Sequence, residues 1–310
     1  MSKKESSLTG FSVVFEKEFF DIMKSVRFIV MLILILATAA ISLYISAQTI
    51  KNYVSEDSFL LLTFFTTSKD SFPSFLNLMS FLIPILGIAL GFDAVNKEFS
   101  QKTLGRILSQ PIFRDVLLFA KALGALGALA IMLLSLFLIV IGSGMLIFGV
   151  PPTTEQIGRA LVFYIITLLY AGIWYIIAMF FSITYKQGST SAFLSIALWL
   201  FLMIFWSPIS ELIAYNVSGN QLTALNIYSM LSNISPYILF NKASIAILRP
   251  TTRSLGPVMF YQMEGAISGT PLPLSQSLLL IWPQITEFIA VIILIFTLGY
   301  IKFQRKEIRM

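Results

Sequence analysis

Between two apolar runs the chain inserts NKEFSQKTLGRILSQPIFRDVLLFAK, Asn96 to Lys121. Five of these residues are basic (Lys97, Lys102, Arg106, Arg114, Lys121) and two are acidic (Glu98, Asp115). Charge at this density can grip a water-facing partner or obey the electrical bias of a membrane loop. Covalent chemistry needs other residue types, and here they are missing. The chain has no His and no Cys, so the commonest general base, the commonest metal ligand and any thiolate are absent. A zinc hydrolase or a His-dependent enzyme is excluded, and neither a catalytic set nor a metal site is expected. No G-x-x-x-x-G-K-[ST] run occurs, so no phosphate-binding loop is present. The nearest glycine-rich stretch, GALGALA at Gly124–Ala130, lies in an apolar run and lacks the Lys.

The elements that position this segment are membrane spans. The 310 residues are 57% hydrophobic and only 12% charged, where a soluble domain is about a quarter charged. Runs long enough to cross a bilayer fall at about Phe28–Ile45, Ser74–Phe92, Ile112–Phe148, Ile157–Thr184, Ser189–Ile213 and Leu278–Ile301. The expected fold class is an all-α integral membrane protein with six transmembrane helices. With both termini placed inside, the inner segments hold fifteen Lys and Arg and the outer segments six. That bias predicts cytoplasmic termini in a multi-pass protein of the cell membrane. The net charge of +6 then suits anionic lipid rather than nucleic acid. A cleaved signal fits poorly: the polar region before the first run contains acids, and the run continues past the small residues Ala37–Ala39.

Residues 1–27 form the first unit. Phe11, Val14, Phe15, Phe19, Ile22 and Val26 recur at helical spacing, which predicts an amphipathic helix in the inner interface. Residues 28–310 form the six-span unit. The segment Lys51–Pro73 reads as a short outer loop. Pro151 and Pro152 end the third span, and Thr153 with Gln156 has the spacing of a capping box for the fourth. Arg159, one turn in, is placed to snorkel toward the outer surface. The long outer segment, about 214–277, is apolar in part and broken at Pro236, and reads as one or two interfacial or re-entrant helices. Ala120, Gly124 and Ala128 form a small-residue stripe suited to close helix packing. Few ionisable groups fall inside the spans: Asp93 and Glu211 sit at ends, and Glu287 is the exception. If the last helix starts near Leu278, Glu287 lies deep and is a pathway candidate. If it starts at Pro283, Glu287 is a shallow structural residue in the second turn.

Pro111 divides the charged segment into a short helix at about 96–110 and the start of the third span. Taken alone, this is either a rigid cytoplasmic knuckle or an ordinary positive-inside loop. The stretch GFDAVNKEFSQKTLGRILSQPIFRDVLLFAKALGAL resembles the hallmark region of ABC-2-type permeases, and within them it is similar to the NosY-like subgroup. The matching residues are Asp93, Glu98, Lys102-Thr103-Leu104, Leu108-Ser109-Gln110-Pro111, Arg114 and Lys121. Lys102 stands where Gly is usual, and Ala122 where Gly is common. FEKEFFDIMKSVRF resembles the family's amphipathic lead-in helix.

The resemblance implies that the knuckle is a coupling helix seated on a separate ATP-binding subunit. Glu98, Lys102, Thr103, Leu104, Arg106 and Leu108 would be the docking residues. ATP and Mg would be held by that partner. A second permease subunit, identical or different, would complete the assembly, and the activity would be ATP-driven export. A subunit that anchors or regulates a membrane assembly without its own path is the alternative.

Overall fold

The structure, a computed structural model, describes residues 3–51, 59–67, 73–100, 114–149, 151–255 and 271–305. The described residues are almost wholly helical, and six helices are long and apolar enough to cross a membrane. In chain order the helices are α1 (Lys3–Met23), α2 (Val26–Lys51), α3 (Leu60–Thr66), α4 (Phe75–Gly91), α5 (Asn96–Ser100), α6 (Arg114–Phe148), α7 (Thr154–Thr184) and α8 (Gly188–Leu200). A π-helical turn (Phe201–Phe205) follows, then α9 (Trp206–Val217), α10 (Gln221–Ser232), α11 (Pro236–Leu248) and α12 (Leu274–Arg305). The spans are α2, α4, α6, α7, the α8–π–α9 unit and α12.

Local chemistry sets several boundaries. Ser25 turns the chain between α1 and α2: its hydroxyl donates to the Ile22 carbonyl at 2.7 Å and accepts from the Phe28 amide at 3.2 Å, which caps α2. α6 stops at Gly149, whose φ of 69° is open to glycine at little cost. The capping box of α7 forms as expected. The Gln156 amide donates to the Thr153 hydroxyl at 3.3 Å, and the Thr153 amide donates to the Gln156 side chain at 3.0 Å.

α7 is the axis of the bundle. Trp174, Tyr170, Tyr175 and Phe163 on it are fully buried, and α4, α6, α11 and α12 all pack on it. Its closest neighbour is α4, and two glycines explain why. A Cβ on Gly87 would lie 2.6 Å from the Ala171 carbonyl oxygen, and one on Gly91 2.6 Å from that of Tyr175. Only hydrogen fits, so the two backbones touch.

At the end opposite the termini, the outer connections are more ordered than a plain loop. Within Lys51–Pro73, α3 buries Leu61, Leu62, Phe64 and Phe65. Phe65 packs on Phe75, Phe137 and Phe163 with ring centroids 5.3, 6.1 and 5.6 Å apart. Arg159 does not snorkel, because its side chain is wholly buried. It donates to Glu155, to Ser277 and to the backbone oxygens of Ile247 and Leu272. A guanidinium with five donors thus ties α7 to the end of α11 and the start of α12.

Among its described residues, the segment 214–277 supplies the helices α10 and α11. The Trp206 indole donates to the Leu231 carbonyl at 2.8 Å, and Ser207 meets Tyr228 at 3.0 Å, so α10 runs back along α9. The turn at Ser235 donates to Leu202 O at 2.8 Å, in the π-helical turn at the middle of the span. α11 then returns until Ile247 reaches Arg159. The hairpin's turn thus lies beside the middle of the α8–π–α9 unit, a re-entrant course, and Pro236 starts its second arm as the first helical residue.

Gly87→Ala and Gly91→Ala are each expected to lower stability by about 1–3 kcal/mol, because the added methyl meets backbone. Gly142→Ala has nothing within 4 Å of its new Cβ and gains about 1 kcal/mol of helix propensity. Thermal unfolding of the three purified variants in one detergent checks the opposite signs.

Candidate functional site

Three elements meet at the end of the bundle that carries the chain termini. Lys121, in the second turn of α6, is buried. Its ammonium lies 2.8 Å from Glu98 Oε1 on α5 and 2.9 Å from Glu18 Oε2 on α1. Burying one charge unpaired is costly, so this lysine needs both acids beside it and fixes both helices. The Tyr175 hydroxyl on α7 donates to the Lys121 carbonyl at 3.3 Å. α5 has a second anchor in Ser182, near the end of α7. The Ser182 hydroxyl accepts the amides of Val95 and Asn96, each at 3.0 Å. It caps a helix to which it does not belong.

A second ion pair stands alongside. Arg27 at the start of α2 meets Asp93 at 2.7 Å and lies over the Phe92 ring at 5.0 Å. Arg114 donates to the Gln304 carbonyl at 3.3 Å, joining the start of α6 to the last turn of α12. Between α1 and the α4–α5 corner lies a cleft of about 630 Å³. Its four basic groups (Lys17, Arg27, Lys97, Lys121) balance four acidic ones (Glu18, Asp21, Asp93, Glu98). A cleft so balanced, with no His or Cys, is suited to holding elements in register rather than to bond-making.

The sequence profile of the family described as ABC-2 family transporter protein matches residues 12–308. The chain belongs to the ABC-2 transporter family. No individual curated protein matches it. The match runs from α1 through the last span, so Glu18, Arg27, Asp93, Glu98, Arg114 and Lys121 all fall within the family region. The protein is therefore a membrane-spanning permease component of an ABC transporter.

In this permease Glu98 faces inward onto Lys121 and is buried, while Lys97 beside it is exposed. Lys102, Thr103, Leu104, Arg106 and Leu108 lie outside the described residues. Ala120 and Ala128 are buried, and Gly124 lies under α1. A Cβ on Gly124 would meet Glu18 Cβ at 3.2 Å and the Phe19 amide at 3.3 Å. α1 therefore rests on the third span through its aromatic face, where Phe11, Phe15 and Phe19 stack at 6.1 and 6.0 Å.

Glu287 lies well inside α12, which starts at Leu274 and runs unbroken through Pro283. The helix therefore does not begin at Pro283. Its carboxylate borders a second cavity of about 560 Å³, between α7, α8, α12 and the tip of the re-entrant hairpin.

The sequence reading missed Glu18, Arg27 and Ser182 as parts of the site. Glu18 carried a signal. It follows Phe11 and Val14 by seven and four residues, so it is an acid inside the apolar stripe and needs a buried partner. Ser182 carried none, since a serine in a span usually bonds to its own helix.

Lys121→Met is expected to destabilise the permease by about 3–5 kcal/mol, because Glu18 and Glu98 lose the buried ammonium between them. The triple variant Lys121→Met, Glu18→Gln, Glu98→Gln should recover most of that loss. Thermal unfolding in detergent measures both, and a triple variant no more stable than the single one would refute the ion-pair account.

Proposed function

We propose that this permease is the membrane part of an ATP-driven exporter, worked by a separate ATPase subunit that docks on the segment of about 96–110. The observation that carries the proposal is the Lys121 contact with Glu98 and Glu18. A push on α5 reaches α1 and α6 directly through that shared ammonium, and reaches α7 through Ser182. Glu98 then serves as the inward anchor of the coupling segment. Docking falls to Lys102, Thr103, Leu104, Arg106 and Leu108. The positive bias of this end supports a cytoplasmic position for it and for both termini.

ATP and Mg belong to the partner, two permease subunits make the assembly, and the membrane is the cell membrane. Closure of the ATPase pair moves the coupling segments. The spans then exchange between arrangements that differ by a few kcal/mol. In the resting arrangement the far end is closed by aromatic packing, in which Phe240 stacks on Tyr170 at 4.4 Å and lies 6.1 Å from Phe163. A subunit that only anchored an assembly would have no need of a cavity at half depth, and this favours a permease with its own path.

The test is affinity purification of the tagged protein from native membranes in mild detergent, beside the variant Leu104→Asp, Arg106→Glu. A P-loop ATPase should co-purify with the wild type and be lost from the variant, while the variant keeps its unfolding temperature. No ATPase with the wild type in several detergents would overturn the docking.

A further inference from the structure

We propose that the cavity beside Glu287 is a binding site for an organic cation carried on an apolar body. The proposal rests on the transport reading only in taking this ligand as the class of cargo. The site itself stands on its own geometry. Of its sixteen lining residues only Asn233 and Glu287 are polar. The rest are aliphatic or aromatic, with Ile177, Phe181, Leu198 and Leu239 among them. A volume of about 560 Å³ falls within the range of small-molecule sites, which are mostly apolar with a few placed polar groups.

The polar groups choose the sign of the ligand. Glu287 Oε2 is buried and accepts no hydrogen bond. A carboxylate in the middle of a span is expensive unless a positive charge faces it. The cation facing it from the packed elements is Lys242 on α11, which acts on it through space. That ammonium is held elsewhere, 2.7 Å from Asn233 Oδ1 and 3.3 Å from Ser232 Oγ, and it does not line the cavity. The Asn233 oxygen is thereby occupied, and the open acceptor in the wall is the Glu287 carboxylate. The Glu287 side chain lines the cavity, so a ligand cation there lies against its carboxylate. Coulomb attraction in a medium of low dielectric favours the nearer charge. The Phe181 ring adds a negative π face on the same wall. An anion would meet no cation in the lining.

The wall is also placed to respond to movement. Asn233, Ile234 and Pro236 belong to the turn of the re-entrant hairpin, which is pinned to Leu202 O through Ser235. Glu287, Val291, Ile295 and Leu298 belong to α12. Any tilt of the last span against the hairpin therefore changes the volume around the carboxylate.

Two ions of one shape and opposite charge test the site: tetraphenylphosphonium and tetraphenylborate. Binding is measured on the full-length permease in lipid nanodiscs, without ATP, after subtraction of binding to empty nanodiscs. The phosphonium is expected to bind at least about tenfold more tightly than the borate, a difference of about 1.4 kcal/mol. Glu287→Gln should abolish that preference at unchanged thermal stability. Lys242→Met, which removes the competing ammonium, should tighten phosphonium binding. Leu239→Trp, which fills the cavity and leaves the carboxylate in place, should lose phosphonium binding. Equal binding of the two ions by the wild type, or a preference that survives Glu287→Gln, would overturn the proposal. Transport is a separate readout: phosphonium bound through Glu287 yet not moved by the ATP-supplied complex would sink the transport reading and leave the site intact.

Discussion

One ammonium shared by two carboxylates governs the termini-bearing end of this protein. Lys121 is buried, and its charge is acceptable there only because Glu18 and Glu98 stand within 2.9 and 2.8 Å. The two acids come from segments that have no other reason to meet. Glu18 belongs to the helix that precedes the first span, and Glu98 to the helix that follows the second. α5 is held from two sides. Its position is set by what it touches, namely the Lys121 ammonium and the Ser182 hydroxyl. The shared charge thus joins α1, α5 and the start of α6.

The opposite end uses the same economy with the other cation. Arg159 collects the end of α11 and the start of α12 through the carbonyls of Ile247 and Leu272 and the Ser277 hydroxyl. A carbonyl at a helix C-terminus has no intrahelical donor, and the negative end of α11 favours a cation there. Both devices rest on α7, which carries Arg159 near one end and Ser182 near the other. The middle of α7 is fastened to α4 by backbone contact at Gly87 and Gly91. The result is a stiff central pair with a charged clasp at each end.

How much of this could be read from the sequence follows from what each feature depends on. Span number, the capping box at Thr153 and Gln156 and the stop at Gly149 and the prolines depend on local spacing, and they were legible. The hallmark residues Asp93, Glu98, Arg114 and Lys121 were legible as types. Their partners were not, because an ion pair between residues 18 and 121 is a fact of folding rather than of spacing. Arg159 was misjudged because a long side chain near a helix end can snorkel or turn inward, and only the arrival of α11 decides. The Gly87 and Gly91 pair had the same four-residue spacing as the stripe at Ala120, Gly124 and Ala128. It was readable in principle, hidden in a span whose residues are nearly all apolar. Glu287 was left between two depths because Pro283 suits a first helical turn and is also tolerated inside a membrane helix when neighbours satisfy the freed carbonyl.

The spans are not held equally. α4 and α7 bury most of their apolar windows within the chain, whereas the α8–π–α9 span buries 11% and α12 buries 17%. Lightly held helices are the ones that can tilt at small cost. α12 is nevertheless tied at both ends, to Arg159 through Ser277 and to Arg114 through Gln304. The α8–π–α9 span carries a π-helical turn at half depth, a common place for a helix to change direction. On the proposed coupling, motion entering at α5 would meet the closely packed α4–α7 pair and pass to the helices around it. The cavity at Glu287 lies along that border, with one wall on α7 and the others on α8, α12 and the re-entrant turn. A small shift between stiff and loose elements changes most at such a border, and there Glu287, the one carboxylate among the cavity's lining residues, is found.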